Sequence, residues 1–228
     1  MSLIDRCKEV QSEKDFYGKA DEYWKSIPAD VNGMLGGYGH ISTVDIRTSK
    51  SFLKPFIQGA SAKTKTGRAL DCGAGIGRVT KHLLLPLFDI VDLVELNKAF
   101  LDEAKTYIGQ NASRVGNYFC CGLQSLELPK EFYDVIWIQW VTGHLTDAHL
   151  IKFLQRCKEA LRSGGIVVIK DNVAILDVEH DPQDSSVTRN SEDLQTIYKE
   201  SGLRILKEEK VTRFPTELYN VIMTALAP

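Results

Sequence analysis

Arg68-Ala69-Leu70-Asp71-Cys72-Gly73-Ala74-Gly75-Ile76-Gly77-Arg78 is the stretch whose reading decides the fold. A short apolar run ends on an acid, turns through three glycines and enters a segment suited to a helix. Glycine reaches backbone conformations barred to other residues. After a strand, such a turn lets backbone amides approach a ligand at a helix N-terminus. The turn alone does not name the ligand, because a Gly-x-Gly-x-Gly after a strand also suits dinucleotide enzymes.

Outward from this turn, short apolar runs alternate with helical patterns. Strands are predicted over 90–96, 117–121, 133–140 and 165–170, and helices over 77–86, 100–107, 147–161 and 193–201. Such alternation calls for a mostly parallel sheet covered by helices on both faces. The last two strands, 203–211 and 219–227, have no helix between them and predict an antiparallel hairpin at the sheet edge. Ahead of the turn, residues 1–22 are charged and helical in character, and a helix is predicted over 12–26 with Ser12 as its cap. Gly33-Met34-Leu35-Gly36-Gly37-Tyr38-Gly39 is too rich in glycine for a helix or strand interior. A helix over 46–57 and a polar linker over 59–67 follow. The expected organisation is an N-terminal helical extension with a glycine-rich lid over 1–60, forming part of the pocket, and an α/β domain over 61–228, together one structural unit.

The composition fits that picture. The 228 residues are 43% hydrophobic and 25% charged, which suits one globular domain with a real core. The net charge of −2 does not ask for a duplex nucleic acid as partner, since such binders need a basic surface. There is no apolar core of a signal peptide and no apolar run of the ~20 residues that span a bilayer. Five cysteines (Cys7, Cys72, Cys120, Cys121, Cys157) without Cys-x-x-Cys spacing read as reduced thiols in the cytosol or nucleus, not as a zinc site.

Three details favour a methyl donor over a dinucleotide. Asp71 precedes the glycines. A second acid, Glu95, ends the next strand about twenty residues on, where it can accept from ribose hydroxyls. Arg78 stands where a dinucleotide enzyme has a small residue, and a guanidinium there can hold the carboxylate of a methionine moiety. After the third strand, Leu123 and Gln124 are placed to contact adenine. The fourth strand carries Asp134 and then aromatic and amide groups, at what is the usual catalytic edge in methyltransferases of this fold.

The remaining motifs are more specific. Gly33-Met34-Leu35-Gly36-Gly37-Tyr38-Gly39-His40, the glycine turn, Trp137-Ile138-Gln139-Trp140-Val141-Thr142-Gly143-His144-Leu145-Thr146-Asp147, Lys170-Asp171-Asn172 and Asp184-Ser185-Ser186-Val187 resemble the protein N-terminal methyltransferases. The match runs from about Asp15 to the C-terminus. It implies a seven-stranded Rossmann-like class I fold with an N-terminal helical extension. It implies methyl transfer from S-adenosyl-L-methionine, with S-adenosyl-L-homocysteine as product and no metal, onto the α-amine of proteins that start X-Pro-Lys or X-Pro-Arg once the initiator Met is gone. By resemblance the donor is held by Trp24, Gly73, Gly75, Arg78, Glu95, Leu96, Asn97, Leu123, Gln124 and Gln139. The acceptor peptide falls to Leu35, Ile41, Trp140, Asn172, Asp181, Ser186, Leu218 and Tyr219, and the chemistry to His144 and Asp184. Glu95 stands where the family often has Asp, and residues 175–183 differ from better-known members. The resemblance also implies chromatin and ribosomal proteins as partners, and nucleus and cytoplasm as locations.

The residue types suit that chemistry. An α-amine titrates at roughly 7.7–8.0 and must lose a proton before it attacks. His144 and Asp184 are the groups able to take that proton, directly or through water. Trp137 is expected in the core, and His149 and His180 at the surface. Two other readings stay open: a methyltransferase for a small amine, and a non-catalytic relative that binds protein N-termini. A base-modifying enzyme is disfavoured, because Gln139-Trp140 stands where Asn-Pro-Pro-Tyr or Asp-Pro-Pro-Tyr is expected.

Overall fold

The computed structural model of the chain describes residues 12–228. The expectation for residues 1–11, and Cys7 with it, lies outside the described residues; Cys72, Cys120, Cys121 and Cys157 are unbridged. One seven-stranded sheet organises the molecule. Its strands in chain order are β1 (Arg68–Cys72), β2 (Ile90–Glu95), β3 (Val115–Cys120), β4 (Tyr133–Gln139), β5 (Leu161–Val173), β8 (Arg204–Lys210) and β9 (Asn220–Ala227). They lie in the order β3-β2-β1-β4-β5-β9-β8. Pairing is parallel from β3 to β5 and antiparallel at β5–β9 and β8–β9. The last two strands therefore form the antiparallel pair expected at the edge, with β9 seated inside β8.

Both faces are covered, and the strands alternate accordingly. On β4, Val135 and Trp137 enter one core while Ile136 and Ile138 enter the other. The first core receives Phe52 and Leu53 from α3 (Ser42–Ile57) and Leu101, Ala104 and Ile108 from α4 (Lys98–Ile108). The second receives Phe153, Leu154 and Cys157 from α5 (Asp147–Ala160) and Leu194, Ile197 and Tyr198 from α6 (Ser191–Glu200). Strand order reverses between β1 and β4. In open α/β sheets the crevice beyond the carboxyl ends of strands at such a reversal is where ligands bind.

The N-terminal segment lies against this edge. Helix α1 (Glu13–Ser26) is capped by Ser12, whose hydroxyl accepts from Asp15 N. Its Tyr17 hydroxyl bonds His149 Nδ1 at 2.7 Å and accepts from Thr146 N at 3.3 Å, docking α1 on the start of α5. His149 is thus half-buried and partnered, not the surface residue expected; His180 is half-buried as well.

Several local expectations are corrected. The glycine-rich lid is not wholly irregular: Asp30 caps a four-residue helix α2 (Val31–Met34) through Gly33 N at 2.7 Å, and a 3-10 turn covers Gly39–Ile41. That turn leads straight into α3, which starts at Ser42 rather than near residue 46. The helix after the glycine turn is short and π-wound over Thr80–Leu84, with Leu85 N reaching back to Thr80 O at 2.9 Å. Residues 175–183 lead into a small hairpin, β6 (Glu179–Asp181) and β7 (Ser186–Thr188), not foreseen from sequence. Asp134 sits at the start of β4, away from the expected catalytic edge. It accepts from Arg68 N at 2.8 Å and pairs with Arg162 at 3.2 Å, a structural post.

Candidate active site

A cavity of about 510 Å³ opens at the carboxyl edge of β1 and β4, and every residue singled out for donor, acceptor or chemistry lines it. The glycine turn forms its floor. Gly73 has φ +68°, and a Cβ there would lie 2.8 Å from Val141 Cβ. Gly75 has φ +54°, and a side chain there would run into Met34 Sδ of the lid. At both positions only glycine fits the close packing against Val141 and Met34 that shapes this floor of the cavity. Asp71, fully buried at the end of β1, accepts from Thr80 Oγ1 at 2.6 Å. Burial pushes its carboxyl up to about 6 against the pull of that bond.

Glu95 ends β2 and is tied down by two backbone amides, Gly75 N at 2.9 Å and Asn97 N at 2.8 Å. Each oxygen keeps a lone pair for a further donor such as a ribose hydroxyl. Burial raises its pKa, opposed by those amides. Asn97 caps α4 through Ala99 N and reaches Trp24 O with its amide at 3.3 Å, linking the donor end to α1. Leu96 follows β2 at the rim. Leu123 and Gln124 are held from beneath by Arg156, which donates to their two carbonyls at 2.9 and 3.1 Å. Glycine turn, acid after β2, adenine-side loop and Arg78 together fit an adenosyl donor carrying an amino-acid end.

The opposite end of the cavity is built by the 3-10 turn Thr142–His144, the hairpin and the chain before β9. Trp24 Nε1 donates to His144 Nε2 at 3.0 Å. His144 Nδ1 is buried without a protein partner among the described residues. Burial depresses the imidazole pKa, although Asp184 and Asp171 pull it upward, so the ring is neutral near pH 7. Asp184 Oδ1 accepts from Ser186 N at 3.0 Å, the turn-capping role open to any such Asp, while Oδ2 lies 4.0 Å from His144 Nε2. Asp184 thus caps its turn with one oxygen and directs the other toward His144.

Asp181 and Ser186 face the cavity beside it, with Asn172 on β5 and with Leu35, Ile41, Leu218 and Tyr219 as apolar walls. Tyr219 donates to Glu179 at 2.7 Å, which pushes its phenol up to about 12. Trp140 closes one side, its ring 6.2 Å from Phe214. It has φ +51° and Ser185 has φ +55°, left-handed values that are strained for residues other than glycine and that cluster at functional sites. Trp137 is core, as expected, and its indole N–H donates to Gln139 Oε1 at 2.9 Å.

Four residues were missed as parts of the site. Arg189 is buried and donates to Asp147 Oδ1, Thr142 O and Leu145 O, so its guanidinium brackets His144. Asp171 holds the same turn from the other side through Thr142 N and Oγ1. Asp45 on α3 and Lys170 on β5 pair beneath Arg78 and Gln139. A lone Lys ending an apolar strand was the one available signal, because lysine is almost never fully buried unless paired.

The sequence matches the model of the AdoMet dependent proline di-methyltransferases over residues 12–227. The chain belongs to that family. The human N-terminal Xaa-Pro-Lys N-methyltransferase 1 is 55% identical over 217 residues, covering 95% of this chain and 97% of the relative. Its zebrafish (Danio rerio) counterpart is 54% identical with the same coverage. Among solved structures, a SAM-dependent methyltransferase from Leishmania major is 40% identical, with a TM-score of 0.86 over 92% of this chain and 82% of that one. A phosphoethanolamine N-methyltransferase from Haemonchus contortus, at 18% identity and TM-score 0.73 over 96% of this chain and 50% of that one, shares the fold alone. This AdoMet-dependent family member is thus an enzyme of the class I Rossmann-like methyltransferase fold, using S-adenosylmethionine.

Proposed function

We propose that this enzyme methylates the free α-amine of proteins that begin Xaa-Pro-Lys or Xaa-Pro-Arg after loss of the initiator Met. The observation that carries the reading is the His144–Asp184 pair, 4.0 Å apart, facing the same cavity as the Gly73 turn and Arg78. S-adenosylmethionine, when bound, supplies a methyl group on a sulfonium centre. Arg78 takes its carboxylate, Glu95 its ribose, and Leu123, Gln124, Leu96 and Asn97 the adenine side, with Trp24, Gly73, Gly75 and Gln139 completing the enclosure.

At the acceptor end the incoming group is largely an ammonium at neutral pH. Asp184 Oδ2, with no donor in hydrogen-bond range among the described residues, attracts it and takes its proton. His144 Nε2 is occupied by the Trp24 N–H, and the neutral ring sets no charge against the ammonium. Holding the freed amine at near-attack distance supplies much of the acceleration. Trp140 forms a wall for the first residue or the proline ring, Asn172 holds the peptide backbone, and Asp181 with Asp184 receives the Lys or Arg at position three. Leu35, Ile41, Ser186, Leu218 and Tyr219 close the slot. On the resemblance, the cellular acceptors include chromatin and ribosomal proteins, met in nucleus and cytoplasm.

The test is mass measurement of Ser-Pro-Lys-Arg and its N-acetylated form after incubation with enzyme and donor. Methyl gain on the free peptide alone is expected. Gain on neither would move the acceptor to a small molecule, gain on both would mean a side-chain acceptor, and equal activity after Lys→Glu at the third position would misassign the acidic pocket.

A further inference from the structure

A polar cluster lies beneath the donor end of the cavity. Asp45, from α3, and Lys170, at the end of the both-faces-buried part of β5, have no exposed side-chain surface, and Arg78 only 5%. Asp45 Oδ2 pairs with Arg78 at 2.8 Å, and Oδ1 pairs closely with Lys170 Nζ. Gln139 Nε2 donates to both oxygens at 3.0 Å. Lys170 also donates to Ser49 Oγ at 2.9 Å and Thr48 Oγ1 at 3.3 Å, and Arg78 to Ser42 Oγ at 3.3 Å. Of these groups only Arg78 and Gln139 line the cavity.

The count of charges is uneven. Two cations share one carboxylate. Asp71, the other buried acid near Arg78, is held by the Thr80 hydroxyl and forms a direct ion pair with neither cation among the described residues. An unbalanced charge away from water is costly unless a counter-ion arrives. Arg78 is the cation of the cluster that lines the cavity, so a second direct anionic partner would reach the cluster there.

We propose that Lys170 is a positioning residue for the methyl donor: by sharing Asp45 it leaves the charge of Arg78 free for the donor's carboxylate. This rests on the reading that Arg78 receives that carboxylate. Without Lys170, Asp45 and Arg78 would neutralise one another, and an entering carboxylate would meet a satisfied pair with a like charge behind it. The cluster also makes α3, a part of the N-terminal segment, a determinant of donor affinity although Asp45 does not face the cavity.

Calorimetric binding of S-adenosylmethionine and of its decarboxylated analogue separates this from a packing role. The readout is the ratio of the two dissociation constants, which isolates the carboxylate. In K170M, and in K170Q, which keeps donors for Ser49 and Thr48 should K170M not fold, the preference for the carboxylated donor is expected to fall about tenfold, with binding of the analogue changed less than about threefold. In D45N/K170M the cluster again carries one net positive charge, and the preference is expected to return to within about threefold of the parent. An unchanged preference in the single variants, an equal loss for both ligands, or a double variant no better than the single ones would overturn the proposal. R78M is the control for the reading beneath it: its preference should vanish, and a preference kept in R78M would overturn the role of Arg78 itself.

Discussion

Replacing Arg189 by methionine should loosen the turn that carries His144, and the size of the effect follows from the contacts. The guanidinium side chain is 1% exposed and donates to three acceptors: Asp147 Oδ1 at 2.9 Å, Thr142 O at 2.9 Å, and Leu145 O. Methionine keeps the volume and removes all three bonds. Two carbonyls and a carboxylate that is only 20% exposed then lose their partner. Breaking a buried pair by removing one side costs about 3–5 kcal/mol. A domain holds about 5–15 kcal/mol in all, so the variant should still fold at 25 °C. At about 2–4 °C per kcal/mol for a chain near this length, its melting temperature should drop by roughly 6–20 °C. The same loss frees both ends of Thr142–His144, so peptide turnover should fall while the donor end, which Arg189 does not touch, binds as before. Chemical denaturation, calorimetric donor titration and peptide kinetics on one preparation check all three. A variant within about 1 kcal/mol of the parent would refute the clamp. So would donor affinity lost in step with turnover.

Asp71→Asn tests the buried acid of β1. A carboxyl raised from 3.8 to about 6 on folding holds more protons in the native state, so its contribution to stability falls as pH rises from about 4 through 6 and is fully lost above. The amide removes that slope, and between pH 4 and 7.5 the variant should gain on the order of 3 kcal/mol relative to the parent in urea unfolding; parallel curves would contradict it. Asp184→Asn should reduce turnover by about a hundredfold or more with donor binding retained, and parent-like rates would end its role as proton acceptor. Gly73→Ala puts a Cβ against Val141 at φ +68° and should cost about 2–4 kcal/mol of stability, read from the denaturation midpoint, where no change would speak against the close approach. Trp24→Phe frees the lone pair of His144 Nε2, so the imidazole pKa followed by NMR should rise; a fixed value would mean that burial alone, without the indole bond, keeps the ring neutral.

What could be read from the residues divides along physical lines. β4 and the core of β5 were legible because strands buried on both faces write themselves as unbroken apolar runs. The glycine turn was legible because φ values such as that of Gly73 leave little choice of residue. Hairpin β6–β7 was not: residues 179–181 and 186–188 are too short to show a period, and Ile175 and Leu176, the apolar residues before them, are about 80% exposed rather than core. The π winding at Thr80–Leu84 has no sequence period of its own. Asp45 and Lys170 stand 125 positions apart, and neither pattern nor spacing joins them. His144 and Asp184 were named through a resemblance, whereas their tie to Trp24 and the Arg189 clamp became visible only when the turn, the hairpin and α1 were placed together.

Trp140 sets backbone comfort against side-chain use at a single position. Its left-handed φ of +51° would be relaxed by glycine or asparagine, while the ring that stands beside Phe214 and walls the cavity is, on the proposed function, what the acceptor uses. A library of this enzyme selected for heat resistance alone should therefore drift to small or amide residues at 140 and emerge sturdier but catalytically blunt. The same library selected for turnover should keep the indole and carry the strain, placing the compensating changes elsewhere in the sheet.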